Sequence, residues 1–277
     1  MMNMFAGISG TVTLSVPAAL AAGAVLAGLA FALLWVVQWR RRDAGIVDVG
    51  WAAAIGLMVL WLAVAADAPA TRRALVAVLA MGWAVRLAGH LYRRMRGRPE
   101  DGRYRELREK HGARADRYFF WFYQLQAASV VILALPALVA IHNPAPLANP
   151  WTVLAVALLI VSVGGEALAD AQLERFKADP SNRGNTCRAG LWRYSRHPNY
   201  FFEWIHWWIY PLLAIGSPWW WIALLGPALM LYFLLGVTGI PATEAHAVAS
   251  RRDYADYQRT TSAFFPWFPK ESGPCGD

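Results

Sequence analysis

Residues 151–171 read WTVLAVALLIVSVGGEALADA, and the first fifteen of them carry no charge. A helix crossing the hydrocarbon of a bilayer needs about 20 mostly apolar residues, so this stretch is long enough to span. Its two acids, Glu166 and Asp170, lie four residues apart and share one helical face near one end. The same pattern recurs outward along the chain. Of 277 residues, 57% are hydrophobic and only 16% charged, a balance unlike that of soluble domains. Comparable runs fall at about 15–38, 46–66, 72–91, 119–141, 151–171, 199–216 and 218–240, with Pro218 dividing the last two. The expected architecture is an all-α, polytopic transmembrane helix bundle of about seven spans, with six or eight as alternatives. The first run lacks a basic leader and continues to Trp39 before Arg40, Arg41 and Arg42, which argues against a cleaved signal peptide.

Cations set the expected sidedness. Residues 40–42 supply three Lys or Arg, 93–117 ten, 175–196 six and 251–270 four, together 23 of the 26. Seven alternating spans bring all four segments to one side, which the positive-inside rule makes cytoplasmic, with the N-terminus outside and the C-terminus cytoplasmic. One integral membrane domain over 1–277 is expected, with cytosolic loops at 92–118 and 172–198 and a cytosolic tail at 241–277. The net charge of +8 is explained by that topology and by attraction to anionic lipid, so membrane lipid is an expected partner and nucleic acid is not. Tryptophans at span ends, among them Trp39, Trp151 and Trp219, fit an interfacial belt. Cys187 and Cys275 both fall on the expected cytosolic side and form no C-x-x-C pair.

Ionisable groups inside spans are costly and mark candidate sites. Arg86, His90, Arg93 and Arg94 recur at i, i+4, i+7 and i+8, a basic stripe down the third span. Glu166, Asp170 and Lys177 form a stripe on the fifth, and Asn199, Glu203 and His206 one on the sixth. Two explanations stay open: hydrogen-bonding glue between helices, or convergence on one pocket. In a pocket, clustered arginines suit bidentate recognition of phosphate, while Asn, Asp and Glu suit ribose hydroxyls or a carboxamide. That combination points to a nucleotide cofactor. No two glycines are separated by a single residue, so G-x-G-x-x-G is absent, and no G-x-x-x-x-G-K-[ST] loop occurs. The six histidines are dispersed, and no metal site is expected.

The stretch GLWRYSRHPNYFFE, 190–203, resembles the C-terminal motif of steroid 5α-reductases, sterol C14 and Δ7 reductases and a bacterial 5α-reductase-like group. The resemblance continues in EALADAQLERFK at 166–177 and SRRDYADYQRTTSAFFPWFP at 250–269, and extends to DVGWA at 48–52 and RGRPEDGRY at 96–104. Isoprenylcysteine carboxyl methyltransferases carry a similar Arg-His-Pro-x-Tyr and use S-adenosylmethionine; Asn199 and Glu203 are the reductase form. The resemblance implies an integral membrane protein, of a bacterial inner membrane, that binds NADPH at a site facing the cytoplasm. It assigns Asn199 and Glu203 to the nicotinamide-ribose end, Asp170 and Lys177 to polar contacts on the preceding helix, and Arg86, Arg93 and Arg98 to phosphates. Trp192, Tyr194, Arg196 and His197 line the turn into the sixth span, and Glu244, His246 and Tyr257 lie in the tail that closes the site. Interfacial anchoring, positive-inside charge or plain packing are the competing roles for Trp192, Tyr194, Arg196 and Tyr257.

The implied reaction is NADPH-dependent reduction of a carbon–carbon double bond in a lipophilic enone, steroid-like or another lipid. The protein must then stabilise negative charge on the carbonyl oxygen with prearranged donors. The steroid reductases use a Gln-Glu pair there, and this chain has no Gln-Glu dipeptide. Asp48, kept protonated by desolvation, is the expected replacement, with His90 as second donor; capping a helix N-terminus is the rival role for Asp48. The alternative function is an S-adenosylmethionine-dependent membrane methyltransferase of a lipid or isoprenylcysteine-like substrate.

Overall fold

The structure, a computed structural model, describes residues 14–237 and 239–270; Cys275 lies outside them. It is helical throughout, with no strand among the described residues. Six helical stretches are long and apolar enough to cross a membrane. The chain divides into two compact units, one ending at His142 and the other beginning at Asn143.

The first unit holds α1 (Val16–Arg41), α2 (Ile46–Ala65), α3 (Ala70–Met95), α4 (Gly102–His111) and α5 (Ala115–Ile141). Local chemistry sets their ends. Ser15 caps α1 by accepting from the Ala18 N–H, with Pro17 in the first turn, where its missing donor costs nothing. Asp101 caps α4 through the Arg103 N–H. The expected loop 92–118 is therefore mostly helical. Small residues let α2 and α3 approach closely: a Cβ on Gly56 would come within 2.5 Å of the Ala84 Cβ. Polar side chains join the helices across this apolar packing. Trp61 Nε1 donates to the Ala19 carbonyl and Trp51 Nε1 to Ser129 Oγ, each at 2.9 Å, and Gln124 Nε2 donates to the Gly28 carbonyl at 3.3 Å.

The second unit begins with α6 (Pro150–Ala178), started by Asn149 accepting from the Thr152 N–H and by Pro150 in the first turn. Its 29 residues reach roughly 43 Å at about 1.5 Å each, so the helix outruns the hydrocarbon and takes up the first part of the expected loop 172–198. The expected sixth span, 199–216, is not continuous. It forms α7 (Pro198–His206) and α8 (Ile209–Ala214) with a turn at Trp207 and Trp208. Pro211 has no N–H for the Trp207 carbonyl and its ring crowds that position, which accounts for the break. The expected seventh span, 218–240, is likewise composite. A 3-10 turn (Trp220–Leu224) leads into α9 (Leu225–Tyr232), then a π-turn (Phe233–Val237), then α10 (Ile240–Ser250). The short α11 (Tyr254–Thr260) follows, so helix also occupies much of the expected tail.

Candidate functional site

The sequence-expected residues fall into two sets. Asp48, Arg86, His90, Arg93 and Arg98 belong to the first unit and the remainder to the second.

In the second unit, α6 and α7 bring two of the polar stripes together. Asn199 Nδ2 donates to Asp170 Oδ1 at 3.2 Å. Asn199 Oδ1 is buried and has no hydrogen-bond partner among the described residues. An acceptor left unmatched in this way costs about 1–3 kcal/mol, so it marks a place where a donor is wanted. Glu203, one turn further along α7 and buried, accepts from Trp207 Nε1 at 3.1 Å.

The turn leading into α7 is a polar hub centred on Glu244 of α10. Glu244 Oε1 accepts from Arg196 Nε at 2.7 Å and lies 3.1 Å from His197 Nε2; its Oε2 accepts from Gln258 Nε2 at 2.7 Å and Arg196 Nη2 at 3.3 Å. Arg196 Nη1 donates to the carbonyls of Gln258 and Thr261. Burial pushes the His197 imidazole below its ordinary range, against the opposing pull of Glu244. A carboxylate oxygen can only accept, so the ring nitrogen facing it carries a proton. Trp192 Nε1 donates to the Ala169 carbonyl at 2.9 Å, and the Tyr257 hydroxyl donates to the carbonyls of Trp192 and Ser195. Arg196, His197, Glu244, Trp192 and Tyr257 therefore bond to one another and to the backbone around them, and they lock the turn that leads into α7. His246 is not part of the hub. Two residues on a helix are about 200° apart at 3.6 residues per turn, and His246 is exposed on the far side of α10 from Glu244. Tyr194 is partly exposed, with its ring edge-on to Phe268.

Beyond the polar end of α6 lies a cleft of about 340 Å³ lined by Lys177, Arg183, Cys187 and Arg251 among others. Lys177 was legible in the helical stripe. Arg183 and Arg251 were not, because they come from loop positions with no periodicity to sort them. Burial pushes the Cys187 thiol up, away from thiolate. Asp253 accepts from Thr186 Oγ1 at 2.6 Å and Asp256 from Arg188 at 2.9 Å, tying the residues on either side of Cys187 to the start of α11.

In the first unit, Asp48 is an acceptor on both oxygens, from the Tyr104 hydroxyl at 2.7 Å and Arg103 Nη2 at 3.2 Å. Both oxygens of Asp48 are thus engaged within the protein, and the Tyr104 hydroxyl lies beside one of them. The motif RGRPEDGRY contained both partners without indicating their target. Arg103 also holds Asp101 at 3.1 Å. Asp48, Arg94, Arg98 and Arg103 line a cleft of about 250 Å³. Arg93 is exposed at the end of α3, and Arg86 and His90 are half-buried further up the same helix. Among the described residues no group of three or more His, Cys, Asp or Glu is disposed to bind a metal.

Compared with known protein families, residues 34–261 match one described as a protein of unknown function, DUF1295. No curated protein and no solved structure matches.

Proposed function

The chain belongs to the DUF1295 family, and on that footing we propose that it is an NADPH-dependent membrane reductase of a carbon–carbon double bond in a lipophilic enone. The observation that carries this is the carboxamide of Asn199: its N–H is committed to Asp170 and its buried oxygen is unmatched. A nicotinamide carboxamide or a ribose hydroxyl is a donor of the kind that oxygen lacks, and Glu203 supplies a carboxyl acceptor one turn away. The cations Lys177, Arg183 and Arg251 around the neighbouring cleft suit the phosphates of the same molecule. NADPH, when bound, supplies the hydride.

In this reading Arg196, His197, Glu244, Trp192 and Tyr257 are positioning residues. Their mutual bonds hold the turn before α7, so that Asn199 and Glu203 are fixed before any ligand arrives and no ordering cost falls on binding. In the first unit the Tyr104–Asp48 pair is the group able to steady negative charge on a carbonyl oxygen. The two groups share one hydrogen bond and Arg103 braces the carboxyl, so with Asp48 protonated one O–H of the pair is free to donate. The cation-rich segments face the cytoplasm of a bacterial inner membrane, with α7 and α8 together as a short crossing, the N-terminus outside and the C-terminus inside.

Purified protein melted with NADPH and, separately, with S-adenosylmethionine tests the proposal. A ligand at about 100 times its Kd stabilises the folded chain by roughly 2.7 kcal/mol, a readily measured shift. NADPH is expected to give it, and Asn199→Ala to weaken NADPH binding about tenfold, one hydrogen bond's worth. A shift with the methyl donor alone, no shift with either, or normal NADPH affinity in both Asn199→Ala and Glu203→Ala rejects the proposal.

A further inference from the structure

The segment 262–270, SAFFPWFPK, leaves α11 and runs along the turn before α7. Its backbone is tied down there: the Arg196 N–H donates to the Ser262 carbonyl at 2.8 Å, the Trp267 N–H to the Tyr194 carbonyl at 2.9 Å, and Ser195 Oγ to the Phe264 carbonyl at 2.9 Å. So fixed a strap normally turns its apolar side chains inward. This one buries Phe264 but exposes Phe265 at 53%, Trp267 at 72% and Phe268 at 75%.

The depth of these rings relative to the membrane-length helix α6 explains them. Phe202 of α7 packs on Gly165, where a Cβ would strike its ring, and Gly165 ends the uncharged part of α6. On the same helix, Phe201 and Trp204 flank Phe265, with ring centroids 6.1 and 5.7 Å away. Phe265 thus packs on the helix whose Phe202 meets the end of the charge-free section of α6. The other end of the strap sits higher. Phe268 is edge-on to Tyr194 at 6.0 Å, in the turn whose Trp192 bonds to Ala169, one turn nearer the polar end of α6. Lys270 closes the sequence of side chains. Along the strap from its Phe265 end to its Lys270 end the exposed aromatic and charged side chains run Phe, Trp, Phe, Lys, the order that amphipathic rings and a snorkelling amine adopt at a membrane boundary.

We infer that strap 262–270 is embedded in the bilayer interface, with lipid as the partner of its exposed aromatic face. The strap is then an interfacial anchor that the membrane itself presses onto the turn leading into α7, the helix that carries Asn199.

The test places a nitrobenzoxadiazole label at Phe268→Cys in the full chain with Cys187→Ala and Cys275→Ser, reconstituted in phosphatidylcholine–phosphatidylglycerol vesicles. Trp267→Cys is labelled as a second site in case the first variant folds poorly, and exposed Ser181→Cys is the aqueous control. Shallow doxyl-labelled lipid is expected to quench sites 267 and 268 at least about fivefold more strongly than site 181, with iodide showing the reverse order. Iodide quenching at the strap equal to that at Ser181→Cys overturns the inference. Shielding from both quenchers also overturns it, since a second copy of the chain or another protein segment would then be the cover.

Discussion

Replacing Glu244 by Ala tests whether the hub is structural. The carboxylate receives four contacts, two of them from Arg196, and the side chains of Arg196 and Glu244 are only 11% and 12% exposed. Removing one partner of a buried ion pair costs about 3–5 kcal/mol because the other charge is left uncompensated. Arg196 would keep the carbonyls of Gln258 and Thr261, which places the expected loss near the low end, about 3 kcal/mol. At about 2–4 °C per kcal/mol for chains of this size, the melting temperature falls by roughly 6–12 °C. Glu244→Gln keeps the shape and one acceptor and should lose about half as much. Arg196→Ala combined with Glu244→Ala should cost about 2 kcal/mol less than the two single losses summed, the mark of direct coupling. Thermal melts in one detergent at fixed salt, with and without NADPH, provide the readout. A Glu244→Ala protein that melts with the parent yet binds NADPH poorly would refute the structural assignment and make Arg196 a ligand contact.

Three further outcomes are expected. Gly56→Ala brings a Cβ to 2.5 Å from that of Ala84, so α2 and α3 must part; about 1–3 kcal/mol should be lost by thermal melt, and unchanged stability would mean the helices are not in contact there. Because burial holds His197 below its ordinary 6.5, the unfolded chain takes up its proton first on acidification. The associated stability is complete above about pH 6.5 and declines as pH falls from there toward the folded value. Melts from pH 8 to 5 should show that slope for the parent, and His197→Gln, which keeps the donor, should flatten it; an unchanged slope contradicts the assignment. Tyr104→Phe removes the 2.7 Å bond to Asp48 and should cost about 1.5 kcal/mol, the value of a bond to a charged group. If Tyr104→Phe leaves stability unchanged, Asp48 does not depend on that hydroxyl.

The polar stripes were legible because faces on a helix follow from spacing alone: Asp170 and Asn199 could be assigned to inward faces before any fold was known, and they do meet. Arg196 is the counterexample. As a cation in a basic, aromatic turn it reads as part of a cofactor-binding turn, yet its partners Glu244, Gln258 and Thr261 lie 48, 62 and 65 residues along the chain. Nothing local distinguishes an arginine whose donors are used internally from one aimed at a ligand. Asp48 likewise looked like a lone acid on an apolar helix until Tyr104 and Arg103, 56 and 55 residues away, supplied its donors.

Hydropathy by itself determined that this chain is a helical membrane protein, because lipid must be faced by every spanning segment and each segment records that requirement in its own residues. Capping by Ser15, Asn149 and Asp101 was written locally for the same reason. Only tertiary structure decided where the last long apolar stretch breaks after Tyr232, which cations are spent on internal acids, and that the Asn199 oxygen is left without a donor. Those outcomes depend on which polar groups meet across helices. Pairing of that kind is an energy of contact between distant segments, absent from any stretch of sequence taken alone.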